Sequence, residues 1–362
     1  MHPETTPKLE HFEPIDGRAA YRQRHVNRDG REVFLYSFDE VPHTPVGEGL
    51  EKAAQISEIR RHPLRGDWAV YAAARQGRTF KPSAADDPLA PMQPGGAATE
   101  IPFTDFEIAV FENRFPSLSL HQDAASATAS DGVPANGRCE VVVFGPEAEG
   151  SLASIGQDRR RLLTAAWIDR YEQLFALGLD YILPFENRGD AVGVTLPHPH
   201  GQIYAFAETP PTQARAVAAF ADGYDLASEI AKWTEDYWIE EAGGMVAFCP
   251  PFARYPYETW IAPRTARAGP WAFSEEEFDG FAHLLGETCR RYDAFFGTAC
   301  PYMLSLHAAP RDHASPFHFT AQFYPIMRAP DRLKYFATIE HATGVFTVDV
   351  MPEAAAAALR NV

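Results

Sequence analysis

The stretch Phe185-Glu186-Asn187-Arg188-Gly189-Asp190-Ala191-Val192-Gly193-Val194-Thr195-Leu196-Pro197-His198-Pro199-His200-Gly201-Gln202 decides how the chain is read. In extended backbone alternate side chains share a face, so His198, His200 and Gln202 point the same way. Pro199 fixes the backbone between the imidazoles, and Gly201 leaves room for a ligand to come close. Two imidazoles and an amide beside glycines suit work on a phosphate. An imidazole can attack phosphorus as a nucleophile, and an amide N–H can stabilise the charged oxygens. Histidines at i, i+2 serve equally as metal ligands, so the spacing by itself leaves catalysis and metal binding both open.

Working outward, the strand Tyr181–Phe185 leads into this stretch, and Ala191–Ala207 reads as a pair of extended segments. Upstream, Leu162, Leu163, Trp167, Tyr171, Leu174 and Phe175 recur at helical spacing, predicting a helix over Asp158–Leu179. Cys139–Phe144 is a buried strand by its β-branched run. Phe106–Phe115 is another strand, and Ile59–Tyr71 makes two short strands around the turn Pro63-Leu64-Arg65-Gly66-Asp67. Lys81–Pro102 and Ser117–Arg138 lack periodicity and read as long loops, a kind that is commonly functional or mobile. Downstream, helices are expected at about Thr212–Trp233 and Ser274–Phe296, the second opening with the capping box Ser274-Glu275-Glu276-Glu277. Trp260–Pro263, Met303–His307 and Phe319–Tyr324 complete the strands.

Clusters of strands, each followed by one long helix, predict an α+β fold with mainly antiparallel sheet and packed helices. Phe111-Glu112-Asn113-Arg114-Phe115-Pro116, a helix and a His-rich strand are echoed by Pro251-Phe252-Ala253-Arg254-Tyr255-Pro256, a helix and a strand holding His318. Two tandem copies of one unit are expected, at 58–210 and 211–362. Residues 1–57 read as an N-terminal extension of no legible role, containing a strand at Val33–Phe38.

Of the 362 residues 46% are hydrophobic and 22% charged, which supplies a core and gives no case for disorder. Lys+Arg 32 against Asp+Glu 49 leaves a net charge of −17. That argues against a nucleic-acid partner, while a local set of arginines can still hold one nucleotide. Cys139, Cys249, Cys289 and Cys300 are too scattered for a disulfide scaffold or a zinc ribbon. Met1–Glu10 carries no hydrophobic signal segment, and no window approaches the roughly 20 apolar residues of a membrane span. A soluble, reduced, cytoplasmic protein is expected.

His-Pro-His-Gly-Gln at 198–202, after Phe185-Glu186-Asn187-Arg188-Gly189, resembles the galactose-1-phosphate uridylyltransferase family, a branch of the histidine-triad superfamily. The resemblance extends to Arg60–Trp68, Val110–Pro116, Pro251–Glu258, Pro301–Pro310, Phe323-Tyr324-Pro325 and Leu333-Lys334-Tyr335, covering about residues 58–355. It implies two histidine-triad-like halves in one subunit, a homodimer, and transfer of a uridylyl group from UDP-glucose to a hexose 1-phosphate. His200 would be the nucleophile in a ping-pong reaction, Gln202 would contact the transferred phosphoryl group, and the His198 carbonyl would orient His200. Arg75 and Arg78 fall where the family contacts phosphate. Asn187, Gly193 and Thr195 would hold the diphosphate, Asn113 and Phe115 the uridine or ribose, and Lys334 and Glu340 the sugar. Taken singly, Asn113 and Asn187 could simply cap turns, Phe115 could be core, and the arginines a solvated face.

The sequence also departs from the family. Where many members bind structural zinc, the Cys-x-x-Cys position reads Asp87-Pro88-Leu89-Ala90 and the later His falls near Ala148, leaving only His198. One imidazole cannot form a closed tetrahedral site. A second site, for iron, would use positions that here read Ala216, His307, Thr320 and Gln322, although His313 and His318 lie nearby. Both metals are read as lost and no cofactor is expected. Gly344–Asp349 lacks the Gln by which the family contacts the hexose, so a different sugar 1-phosphate or nucleotide donor is the first alternative. A non-catalytic relative that only binds nucleotide sugars is the second.

Overall fold

The computed structural model describes residues 9–12, 17–53, 57–73, 75, 86–120, 132–312 and 316–362. In chain order the first half supplies β1 (Leu9–Phe12), β2 (Ala20–Val26), β3 (Glu32–Ser37), β4 (Ser57–Arg61), β5 (Trp68–Ala72), β6 (Ile108–Glu112), β7 (Val133–Pro134) and β8 (Gly137–Val143). Then come helix α1 (Gln157–Ala176), β9 (Tyr181–Arg188) and β10 (His200–Phe206). The second half supplies α2 (Pro211–Ala221), α3 (Leu226–Lys232), α4 (Thr234–Tyr237), β11 (Trp238–Ala242), β12 (Met245–Phe248) and β13 (Thr259–Pro263). It continues through α5 (Glu275–Phe296), β14 (Tyr302–His307), β15 (Thr320–Pro325), the short β16 (Met327–Ala329) and β17 (Arg332–Leu333), α6 (Thr338–Thr343) and α7 (Pro352–Arg360).

Twelve of these strands form one sheet in the order β1-β2-β3-β6-β8-β10-β9-β14-β15-β13-β12-β11, with antiparallel ladders throughout. Its two halves join at the β9–β14 pair, from Tyr302↔Arg188 to Ser305↔Phe185. From that pair the order outward is β10, β8, β6 on one side and β15, β13, β12 on the other, with α1 between β8 and β9 and α5 between β13 and β14. The sequence echo is therefore a structural duplication, consistent with the α+β class and tandem halves.

Strand alternation divides the sheet's two faces. Ile182, Ile203, Ala205, Leu304, Leu306, Ala321 and Phe323 meet α1 and α5 in the main core. Burying each of the isoleucine, leucine and phenylalanine side chains among them is worth about 1.5–3 kcal/mol. α5 begins as its sequence predicts: Glu277 N–H donates to Ser274 Oγ at 3.2 Å, and Ser274 N–H donates to Glu277 Oε2 at 2.7 Å. On the other face the first half carries a second core, in which Leu89, Ile101, Phe103 and Phe106 cover Val33, Leu35, Phe111, Val141 and Val143.

Several expectations are corrected. Residues 20–37, whose role the sequence leaves open, extend one edge of the main sheet through β2 and β3, β3 pairing with β6 from Val33↔Phe111 to Tyr36↔Ile108. The described part of the 81–102 loop is a packed layer, because Leu89, Met92 and Ile101 are all buried. The expected helix at 212–233 is two helices. Gly223 adopts φ +96°, which ends α2 in a left-handed turn, and Asp225 Oδ1 accepts from Ser228 N–H at 3.1 Å to start α3. Ala191–Ala207 holds one strand rather than two extended segments, since Gly189 (φ +92°) and Gly193 (φ +81°) bracket a 3-10 turn over Asp190–Val192.

Candidate active site

β10 projects His200 and Gln202 from the face opposite α1, and Arg75, Leu89, Asn113, Phe115 and Thr195 close around them. Where the 58–210 half was expected to assemble a site, these residues do meet in one cleft. His200 Nδ1 lies 2.7 Å from the His198 carbonyl. A carbonyl only accepts, so Nδ1 carries the hydrogen and Nε2 keeps its lone pair. Burial, followed by repulsion from His198, lowers the His200 pKa below its ordinary 6.5, which keeps the ring neutral at neutral pH.

His198 is 1% exposed and lies behind the cleft rather than in it, covered by the segment that carries Asp87. Its Nδ1 is 2.7 Å from Asp87 Oδ2 and its Nε2 is 2.8 Å from the Gly145 carbonyl. Asp87 is a residue that reading the sequence missed: it registered only as the absence of a cysteine. Arg75 donates from Nη1 to the Phe115 carbonyl at 2.9 Å, which holds it at the cleft. Arg78 lies outside the described residues. Asn113 Oδ1 accepts from Phe115 N–H at 2.8 Å, so its side chain shapes the turn at the cleft wall. Arg114, which sequence reasoning also passed over, lines the same cleft with its guanidinium 5.2 Å from the Phe115 ring centre.

Asn187 is on the same sheet face but on the wall of a neighbouring, larger cavity of about 970 Å³ that spreads over the second half. Phe185, Tyr204, Trp260, Ser305, His307 and Tyr324 are among its walls. The cleft at His200 encloses only about 120 Å³ between described residues. The reactive group rather than the volume marks the site. Lys334 and Glu340 do not reach His200 within this chain: they belong to an arm anchored on the second half by Lys334 N–H donating to the Ile326 carbonyl at 2.6 Å. Glu340 is buried, taking hydrogen bonds from the Lys334 ammonium, Ala337 N–H and Thr347 Oγ1. The Lys334 contact, with the backbone donor of Ala337, pulls its carboxyl down to about 2.

The donor sets do not fit the two metals. At the first place an imidazole and a carboxylate touch directly at 2.7 Å, closer than any cation between them would allow, since metal–ligand bonds are about 2 Å each. At the second, His307 is engaged on both nitrogens, by Tyr181 OH at 3.0 Å and Ser305 Oγ at 2.8 Å. Burial there, with Arg254 nearby, pushes the His307 pKa down to about 4. Thr320 and Gln322 bond each other at 2.9 Å. Among the described residues no group of three His, Cys, Asp or Glu side chains could hold a metal, and His313 lies outside them. No described helix is long and apolar enough to cross a membrane.

A doubled antiparallel sheet that presents a backbone-oriented imidazole and an amide on one strand defines a nucleotidyltransferase of the histidine-triad kind. The sequence model described as "Galactose-1-phosphate uridyl transferase, N-terminal domain" matches residues 48–210. A galactose-1-phosphate uridylyltransferase of Thermotoga maritima is 34% identical over 321 residues, covering 84% of this chain and 98% of its own. One of Streptomyces lividans is 34% identical over 365 residues, covering 92% of this chain and 96% of its own. A solved uridylyltransferase structure matches with a TM-score of 0.71 at 26% identity, over 84% of this chain and 97% of that one. The chain belongs to the galactose-1-phosphate uridylyltransferase family.

Proposed function

We propose that the protein moves a uridylyl group from UDP-glucose to a hexose 1-phosphate, with galactose 1-phosphate the first expected acceptor, through a covalent uridylyl-His200. The observation that carries this reading is the 2.7 Å contact between His200 Nδ1 and the His198 carbonyl, which leaves Nε2 free to attack. The Nε2 lone pair attacks the α-phosphorus, the bond from that phosphorus to the bridging oxygen breaks, and glucose 1-phosphate leaves. A phosphate oxygen of the incoming hexose 1-phosphate then attacks the same phosphorus, the P–N bond breaks, and Nε2 regains its lone pair. Gln202 stabilises the charged oxygens, and Arg75 offsets their charge. Thr195, Gly193 and Asn187 hold the diphosphate, and Asn113 and Phe115 hold the nucleoside.

Lys334 and Glu340 contribute from a second copy in this reading. Tyr335, Phe336 and Val345, on the same arm, are more than half exposed apolar side chains, a surface that suits burial against a partner. Sedimentation of the purified protein is expected to give a dimer. The four cysteines are free and buried, which suits a reducing cytoplasm.

Intact-protein mass after brief exposure to UDP-glucose without acceptor tests the mechanism. A gain of one uridylyl group is expected, and its absence despite UDP-glucose binding rejects the covalent route. Because the folded His200 pKa is lowered, protonation of the nucleophile sets in only at lower pH. The rate of adduct formation should therefore hold level through neutrality and fall on the acid side of 6.5. An acid limb centred above 6.5 would contradict this assignment.

One observation favours a second reading of the acceptor. Thr347, in the segment that lacks the family's Gln, directs its hydroxyl to Glu340 Oε1 at 3.1 Å, leaving fewer free partners for a sugar hydroxyl. A panel of hexose 1-phosphates decides between galactose 1-phosphate and another acceptor.

A further inference from the structure

Asp87 belongs to the segment whose Leu89 and Ile101 cover β3, β6 and β8, and its side chain is almost fully buried. Its Oδ1 accepts from Leu89 N–H at 2.9 Å, which fixes the carboxylate, and its Oδ2 meets His198 Nδ1 at 2.7 Å. On the far side of the ring, Nε2 meets the Gly145 carbonyl at 2.8 Å. Each ring nitrogen faces an atom that only accepts, so holding both contacts takes the imidazolium, which donates on each side and is clamped between two points beside the Asp87 carboxylate. Burial opposes the charge on Asp87, yet the contact with His198 holds its carboxyl below the ordinary value. The backbone of this clamped residue supplies the carbonyl that His200 Nδ1 donates to.

The duplicated half provides an internal comparison. β15 corresponds to β10, so His318-Phe319-Thr320-Ala321-Gln322 corresponds to His198-Pro199-His200-Gly201-Gln202. His318 is buried like His198, and its Nε2 likewise meets a backbone carbonyl, that of Pro263, at 2.8 Å. Its Nδ1, however, has no hydrogen-bond partner among the described residues, and the nucleophile's position is held by Thr320. The copy that holds His200 has a carboxylate bonded to its buried imidazole; among the described residues the other copy has none in hydrogen-bond contact, Asp225 and Glu277 acting on His318 only through their charge.

We propose that Asp87 is a positioning residue for uridylyl transfer: by clamping His198 it fixes the carbonyl that aims His200, doing without a metal at the place where the family uses one. Asp87 touches neither substrate nor reacting atoms. The inference rests on the covalent route through His200, and it predicts an effect on the attack step and none on binding. Ligand-orienting contacts one step removed from a reacting centre typically change activity by roughly 10–100-fold.

The test measures single-turnover formation of the His200 adduct at saturating UDP-glucose, alongside UDP-glucose affinity, in the full chain. Asp87→Ala should slow adduct formation by roughly 100-fold with Kd within about twofold. Asp87→Asn, which keeps an oxygen to accept from Nδ1 but loses the charge, should recover part of that loss. Added zinc should restore neither variant. Should Asp87→Ala fail to fold, Asp87→Asn carries the test, with slower adduct formation at unchanged Kd as the supporting result. Adduct formation at the unsubstituted rate in either folded variant overturns the proposal, as does rescue of the rate by zinc. Loss of UDP-glucose affinity in step with the rate overturns it too, because that marks a structural role. Failure of the unsubstituted protein to form any adduct is a separate outcome and removes the reading beneath.

Discussion

Replacing His200 by Ala should abolish the uridylyl adduct and lower turnover by more than roughly four orders of magnitude, a loss typical of removing an essential nucleophile. The expectation is severe because the neighbouring imidazoles cannot step in. His198 is buried with both nitrogens engaged, and His307, in the adjoining cavity, is held by Tyr181 and Ser305. The fold should be little affected, since among the described residues the His200 ring makes one hydrogen bond, to the His198 carbonyl. Intact mass and steady-state turnover, with a thermal midpoint as control, give the answer. A variant that keeps most of its activity would end the covalent mechanism.

Replacing Glu140 by Ala should destabilise the protein by about 3–5 kcal/mol, the usual cost of stranding buried charges. Glu140, in the middle of β8, is 0% exposed and points toward α1. Its Oε1 accepts from Arg170 Nη2 and Arg138 Nε, each at 2.7 Å, and its Oε2 accepts from Arg170 Nε at 2.9 Å. Burial works against the carboxylate, but Arg170 and Arg138 hold its pKa below the ordinary value. Without it, among the described residues Arg170 is left with its stacking over Phe34, 4.3 Å from the ring centre, and the charge of Asp169 to offset a buried guanidinium. Urea unfolding should show a markedly lower midpoint. A shift worth under about 1 kcal/mol would mean the arginines find other partners or water.

The parts of the molecule legible in the sequence are those set by local period. Alternation puts His200 and Gln202 on one face, where they are found, while His198, expected beside them, precedes the strand and lies buried behind the cleft; helical spacing identifies α1 and α5, the second with its capping box. The rest depends on partners far away in the chain. β2 and β3 look like an appendage because the strand that completes them, β6, comes some seventy residues later. The covering layer has no period because Leu89, Met92, Ile101 and Phe103 each fill a separate gap over a pleated surface rather than continue a ladder. Asp87 had no signal at all, since an aspartate in a proline-rich loop reveals nothing until the imidazole it meets is known.

The β9–β14 pairing that joins the halves has a consequence for how the chain comes to be made. β9 has one neighbour in the first half, β10, and its other edge is closed only by β14. During synthesis the first half leaves the ribosome with the backbone groups of Phe185–Arg188 open along that edge, beside the strand that bears His200. An open edge of this kind is a template for pairing with another nascent chain. It stays so until Tyr302–His307 has emerged, so the two halves, though copies of one unit, mature together rather than in turn.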